Sequence, residues 1–177
     1  DQTARHLINA SGQIVCPGFI DIHTHTDLTL LADQRMNGRL LQGITTEVIG
    51  QDGLGYAPAS PQRLQEWRRY LVGLNGDFPE IKWDWSSVAE LLQRYTGKTS
   101  NVVWLIPHGA VRTQVMGWAA RPATEAELRA MQDLVRQGMW EGAAGLSTGL
   151  NYIPCSHAGT EEMIALCEPA AQAGGIY

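Results

Sequence analysis

Cys-Pro-Gly-Phe-Ile-Asp-Ile-His-Thr-His-Thr-Asp, residues 16–27, is the stretch around which the chain is organised. Phe19, Ile20 and Ile22 are bulky and apolar and predict a buried strand. Pro17 and Gly18 mark the turn that leads into it. His23 and His25 stand two residues apart, and on a strand such positions share one face. Two imidazoles side by side at a strand end can give two nitrogen ligands to one divalent metal. Their place behind a Pro-Gly turn and a buried strand favours ligation over two unrelated polar residues.

The bulk properties set the frame. The chain has 177 residues, is 44% hydrophobic and carries a net charge of -5, with a pI near 5.5. That is an ordinary globular composition, long enough for a real core. The acidic balance argues against a nucleic-acid surface. Of the 13 basic residues only Lys82 and Lys98 are lysines. Cys16, Cys155 and Cys167 lack CxxC spacing and cannot all pair, so a reducing cytoplasm is the expected setting. No apolar run reaches transmembrane length, so no membrane partner is expected. The first residues read as mid-domain.

Working outward, residues 4–9 and 13–15 read as short strands joined by a turn at Ala10-Ser11-Gly12, a hairpin of a small β-unit. Residues 28–42 have helical spacing, with Leu28, Leu31, Met36 and Leu40 able to share a face and Gly43 as the stop. Asp27 is expected to cap or start that helix. A second strand follows over 45–50, ending at Gln51-Asp52-Gly53, a turn sequence that carries a carboxylate. Residues 54–100 are too long for a simple connection and read as a helical insertion, with helices over 61–73 and 86–96. Ser86 or Ser87 caps the second of these, with Glu90 as box partner. Residues 101–106 form a third strand, with His108 just past it. Thr124 and Glu127 make a capping box that opens a helix to about Trp140. Residues 143–150 read as a fourth strand. Thr160 opens another helix with Glu161 and Glu162 in its first turn, and Gly174-Gly-Ile-Tyr177 reads as the start of a fifth strand.

Strand and helix alternate at this spacing in βαβ units with a parallel sheet. His23, His25, Asp52, His108, Ser147 and Thr148 all fall at strand C-terminal ends, where (β/α)8 barrels place their chemistry. A doubly wound sheet would also put sites there. A full barrel needs roughly 250 residues. The chain therefore reads as α/β, with four units and the start of a fifth, and either sheet order is open.

The run Ile14-Val-Cys-Pro-Gly-Phe-Ile-Asp-Ile-His-Thr-His resembles the opening of the amidohydrolase superfamily, metal-dependent hydrolases on a (β/α)8 barrel with a small β-sandwich. Gln42-Gly-Ile-Thr-Thr-Glu-Val-Ile-Gly50 with Tyr56-Ala-Pro58, Pro107-His-Gly-Ala-Val-Arg112 and Gly145-Leu-Ser-Thr-Gly-Leu-Asn-Tyr152 resemble the N-acyl-D-amino-acid deacylase (D-aminoacylase) family. The fourth strand has no lysine, unlike superfamily members that use a carboxylated lysine there. Where the family commonly reads Gly-Asn-Cys-Gly, this chain reads Gly50-Gln51-Asp52-Gly53, so the resemblance puts Asp52 at the position of a cysteine ligand. A carboxylate also binds zinc or bridges two metals, as a harder ligand than thiolate.

The resemblance implies an incomplete (β/α)8 TIM-type barrel, with residues 1–16 ending a small β-sandwich domain and residues 17–177 forming the N-terminal part of the barrel. It also implies hydrolysis of the amide of N-acyl-D-amino acids, with one or two divalent metal ions, zinc being expected, and a small-molecule N-acyl-amino-acid substrate. His23, His25 and Asp52 would be metal ligands and Tyr152 a substrate contact at the barrel mouth. The proton-moving aspartate and two more histidines would lie beyond Tyr177, so the chain alone is expected to be inactive and to need the remainder of the barrel from the rest of the polypeptide or another chain. Two other readings stay open. One is another amidohydrolase of dihydropyrimidinase-like or deaminase type. The other is a barrel without catalysis that serves in binding or assembly. For single residues, Asp-Gly favours a turn at Asp52 regardless of metal, His108 reads as a structural histidine or a substrate or metal-supporting one, and Tyr152 as substrate contact or loop packing. Arg112 is expected in a salt bridge, Cys155 and His157 off the metal, Cys16 in buried packing, and the six tryptophans in the core and insertion.

Overall fold

The computed structural model describes residues 4–32 and 37–177. Its strands are β1 (Phe19–Asp21), β2 (Ile44–Ile49), β3 (Asn101–Pro107) and β4 (Gly145–Ser147). Helices α1 (Thr29–Ala32) and α2 (Asn37–Leu40) lie between β1 and β2 in sequence. Then come α3 (Pro61–Tyr70), α4 (Val72–Asn75) and α5 (Val88–Arg94) before β3, α6 (His108–Met116) and α7 (Glu125–Trp140) before β4, and α8 (Thr160–Gln172) after it.

The sheet decides between the two α/β architectures. All pairings are parallel and the order is β1-β2-β3-β4, each strand beside its predecessor. A parallel bridge from Gly145 to Ile176 continues the same order on the far side of β4. A doubly wound sheet would reverse direction at a switch point. Here nothing reverses, and the sheet is an arc of a (β/α) barrel. Its pairing brings the C-terminal ends of β1 to β4 to one rim, with Asp21 opposite Glu47 and Pro107 opposite Ser147.

Burial of large apolar side chains holds the helices to this arc. Trp67 of α3, Leu91 of α5, Trp104 and Ile106 of β3 and Val135 of α7 are all buried in one cluster, together with Trp85. Each such side chain contributes on the order of 1.5–3 kcal/mol through its removal from water. Both expected capping boxes are present. Ser87 accepts the Glu90 N–H at the start of α5, and Thr124 accepts the Glu127 N–H at the start of α7, with each glutamate bonding back.

Several expectations are corrected. At residues 4–15 only the turn forms, closed by Gln13 N–H donating to Ala10 O. The flanking runs are not strands, because Leu7, Ile8, Ile14 and Val15 are 82–94% exposed and no apolar face is covered. A two-stranded ribbon without such cover is marginal in water. Among the described residues β1 pairs only with β2, and no element covers Phe19, Ile20 and Ile22, which are exposed rather than buried. The 28–42 helix is seen as α1 and α2; Met36 lies outside the described residues, and Leu28 is buried while Leu40 is exposed, so they do not share a covered face. β4 is three residues long, because the chain turns away after Ser147. Cys16 is exposed rather than in buried packing, in a run from Ser11 to Ile20 that is exposed throughout. Trp140 is 89% exposed at the end of α7, the exception among tryptophans placed in the core. Helix α6 was not foreseen, because its residues 108–113 are buried all round and show no amphipathic period.

Arg121 above all, then Thr124, holds the Glu127 carboxyl at about 2 against an ordinary 4.5. The folded value is the lower one, so this stabilisation is present above 4.5 and is lost as pH falls toward 2. Glu127→Gln is expected to lower the urea midpoint at neutral pH and to converge with the wild type near pH 2, with a smaller gap at high salt because the pair is exposed.

Candidate metal centre

Past the end of β1, residues 23–26 alternate between an outer and a buried side. Thr24 and Thr26 are buried, whereas His23 is exposed and His25 half-buried. The buried side is tied by charge. The Thr26 hydroxyl donates to Glu47 Oε2 at 2.7 Å. Arg39 of α2 donates through Nη2 to Thr24 Oγ1 at 2.9 Å and through Nη1 to Asp21 Oδ2 at 2.5 Å, with Glu47 Oε2 3.2 Å away. Asp21 Oδ1 also accepts the His23 N–H at 3.2 Å. Fixing the threonines on one side fixes the direction of the imidazoles on the other.

The two rings lie edge to face, centroids 5.6 Å apart. Asp52 Oδ2 sits 3.2 Å from His25 Nε2 and 3.5 Å from His23 Nε2. One ligand atom from each of His23, His25 and Asp52 lies within 4.8 Å of the others. Two imidazole nitrogens and one carboxylate oxygen, partly open to solvent, are a donor set that suits Zn²⁺. The structure therefore brings together all three residues expected as ligands. The cavity beside them, about 230 Å³, is lined by His23, Asp52, Leu146, Thr148 and Tyr177 among others.

Asp52 arrives from β2 by a tight route. Gly50 has φ +74, and a Cβ there would lie 2.2 Å from Leu105 O, so only glycine lets the chain turn against β3. Gln51 donates its side-chain amide to Ile22 O at 2.8 Å and Val48 O at 3.1 Å, binding the ends of β1 and β2 together. Asp27 does not cap α1. Its Oδ1 instead accepts the Gly50 N–H at 3.3 Å, because the side chain is buried toward β2 rather than along α1. Burial pushes its carboxyl up to about 7, opposed by the N–H groups of Asp27 and Gly50 and aided by Glu47.

The other expected residues fall elsewhere. His108 is fully buried, with Nδ1 2.9 Å from Thr148 Oγ1 and Nε2 2.8 Å from Glu162 Oε1. Arg112 donates through Nη1 to both Glu162 oxygens at 2.5 and 2.6 Å, the salt bridge expected of it. Burial would raise the Glu162 carboxyl, but the bonds from His108 and Arg112 outweigh it and hold it below its ordinary value. Glu162 thus does more than favour a helix start; it locks α8 to α6. Cys155 is buried and its thiol is pushed up to about 12, by burial first, and His157 stays outside the ligand cluster. Tyr152 is half-exposed, its ring against Gly149, and does not line the 230 Å³ cavity. Sequence reasoning missed Arg39, Glu47 and Gln51. The available signal was Glu47, a carboxylate inside an otherwise apolar strand end, which calls for a buried partner.

A profile of the amidohydrolase family matches residues 6–174. The chain belongs to the amidohydrolase family. Among relatives of this amidohydrolase, D-aminoacylase of Alcaligenes xylosoxydans xylosoxydans is 36% identical over 184 residues, covering 100% of the chain and 36% of that protein. N-acyl-D-aspartate deacylase of the same organism is 40% identical over 174 residues, covering 97% of the chain and 34% of that protein. The crystal structure of N-acyl-D-glutamate deacylase from Bordetella bronchiseptica, complexed with zinc and a phosphonate inhibitor that mimics the reaction's tetrahedral intermediate, superposes with a TM-score of 0.76. It is 34% identical and matches 92% of the chain and 33% of its own. The amidohydrolase chain spans about a third of the length of these relatives.

Glu162→Ala would leave the Arg112 guanidinium buried without a counter-charge. The expected loss is about 3–5 kcal/mol of stability, read from urea unfolding.

Proposed function

We propose that this chain carries part of the metal site of a hydrolase that cleaves the amide of N-acyl-D-amino acids to a carboxylate and a free D-amino acid. The observation that carries the reading is the convergence of His23, His25 and Asp52 within 4.8 Å at the barrel rim. Relatives named D-aminoacylase and N-acyl-D-aspartate deacylase support the substrate class. The zinc-complexed structure of the D-glutamate deacylase supports zinc as the metal.

His23 and His25 would hold the metal through Nε2 and Asp52 through its carboxylate. A divalent metal held there would acidify a water and polarise the acyl carbonyl. The chain's own residues provide the rest of what can be derived. The Arg39–Glu47–Thr26 network orients the imidazoles from behind. Neutral imidazoles and an ionised carboxylate are the binding forms, so protons compete with the metal and affinity falls in acid. Tyr152 would contact substrate from the rim, one glycine away from Asp52: a Cβ on Gly149 would meet Asp52 O at 2.4 Å and the Tyr152 ring at 2.7 Å.

The same proposal extends to the rest of the molecule. In the intact protein, with cover from the remaining polypeptide, residues 1–16 would close a small β-sandwich, residues 17–177 would belong to a full (β/α)8 barrel with its insertion at 54–100, and the remaining barrel would complete the site. The setting is cytoplasmic, in keeping with three unpaired cysteines. Among the described residues no helix is long and apolar enough to cross a membrane.

The test is metal content and turnover of the intact protein. Asp52→Ala and His23→Ala are each expected to weaken zinc binding by more than the roughly 10–100-fold typical of outer partners. A panel of N-acyl-D- and N-acyl-L-amino acids should show turnover of the D series. Unchanged metal content in both variants refutes the ligand assignment, and turnover of only the L series refutes the substrate class.

A further inference from the structure

Asp52 stands in the left-handed region, φ 57 and ψ 22, as the one non-glycine residue with positive φ among those described. Aspartate tolerates this conformation but does not enforce it. Something other than residue preference must hold the turn, and the hydrogen bonds show what does.

Ser147, at the end of β4, is buried, 7% exposed. The Gly53 N–H donates to its Oγ at 3.0 Å, and its own hydroxyl donates to Gly50 O. One hydroxyl therefore closes both ends of the turn that carries Asp52, from a strand 94 and 97 residues further along the chain. Further bonds tie the turn to its surroundings. Leu54 N–H donates to Gln51 O, Gly50 N–H to Asp27, and the Gln51 amide to Ile22 O and Val48 O. The Asp52 carboxylate is turned to His23 and His25.

We propose that Ser147 is the positioning residue for Asp52: its hydroxyl, bridging Gly50 O and Gly53 N–H, fixes the aim of the Asp52 carboxylate and through it the affinity of the metal site. This rests on the reading of His23, His25 and Asp52 as metal ligands. Ser147 is not itself a ligand or a nucleophile. Its proton goes to Gly50 O, it accepts from Gly53, and it is buried. Its effect passes through the backbone of residues 50–53. Outer partners of this kind change metal affinity by roughly 10–100-fold.

The experiment is a double-mutant cycle on zinc affinity in the intact metal-free protein, measured by competition with a chromophoric chelator, with melting of the metal-free form followed in parallel. Asp52→Asn is the reference variant, because asparagine also tolerates the left-handed region and removes only the charge. Ser147→Ala is expected to weaken zinc binding roughly 10–100-fold. Ser147→Cys, close in size but a poor hydrogen-bonding partner, is expected to weaken it similarly and decides the matter if the alanine variant does not fold. Ser147→Ala in the Asp52→Asn background is expected to cause no further loss, because the carboxylate it aims is already gone. Wild-type affinity in the Ser147 variants overturns the proposal. So does an equal loss in both backgrounds, accompanied by a matching fall in melting temperature, which is the signature of a packing role alone. Unchanged affinity in Asp52→Asn by itself removes Asp52 from the site and overturns the underlying metal reading as well.

Discussion

Along residues 23–26 successive side chains leave the backbone on opposite sides, and the two sides meet different surroundings. Thr24 and Thr26 turn inward to Arg39 and Glu47, while His23 and His25 turn outward to Asp52. A slip of one residue would exchange them, burying imidazoles against a carboxylate and exposing the threonines. The inward contacts therefore set the direction of the outward ones. The same constraint explains why a stretch with so little covered apolar surface is held in place at all. Phe19, Ile20 and Ile22 are exposed, so polar bonds rather than burial anchor the end of β1.

The second half of the site depends on backbone geometry in the same way. Gly50 passes close under β3, Gln51 ties β1 to β2, and Ser147 reaches from β4. Contacts from all four strands thus fix the position of one carboxylate. Buried charge is placed to do the same work one layer out, where Glu162 joins α8 to α6 through Arg112 and His108. Breaking such a pair is costly because the remaining charge stays buried. A rim assembled from fixed turns suits a site whose ligands must be aligned before anything binds.

Much of the fold was legible in the chain. The capping boxes at Ser87 and Thr124 were readable because a cap is a local device, completed within three residues. The parallel sheet was readable from strand and helix spacing, whereas the barrel order came from the family resemblance and not from spacing, because strand order is a long-range property. Helix α6 escaped notice because its first six residues are buried on all sides and lack a polar face. The hairpin at 4–15 was read from its turn, but a turn does not supply the cover that strands need.

The sequence by itself put His23 and His25 on one side, since two-residue spacing on a strand end is enough to put two side chains on one face. It also marked Asp52 as a carboxylate in a turn at the next strand end. Only the tertiary structure decided that Asp52 meets those histidines, that His108 is buried in an ion-pair cluster instead of joining them, and that Ser147 closes the turn between Gly50 and Gly53. The physical reason is the reach of the interactions involved. Alternation, capping and turn chemistry act over a few residues and are written in the local sequence, whereas these contacts span 27 to 97 residues and exist only once the parallel strands have been brought side by side.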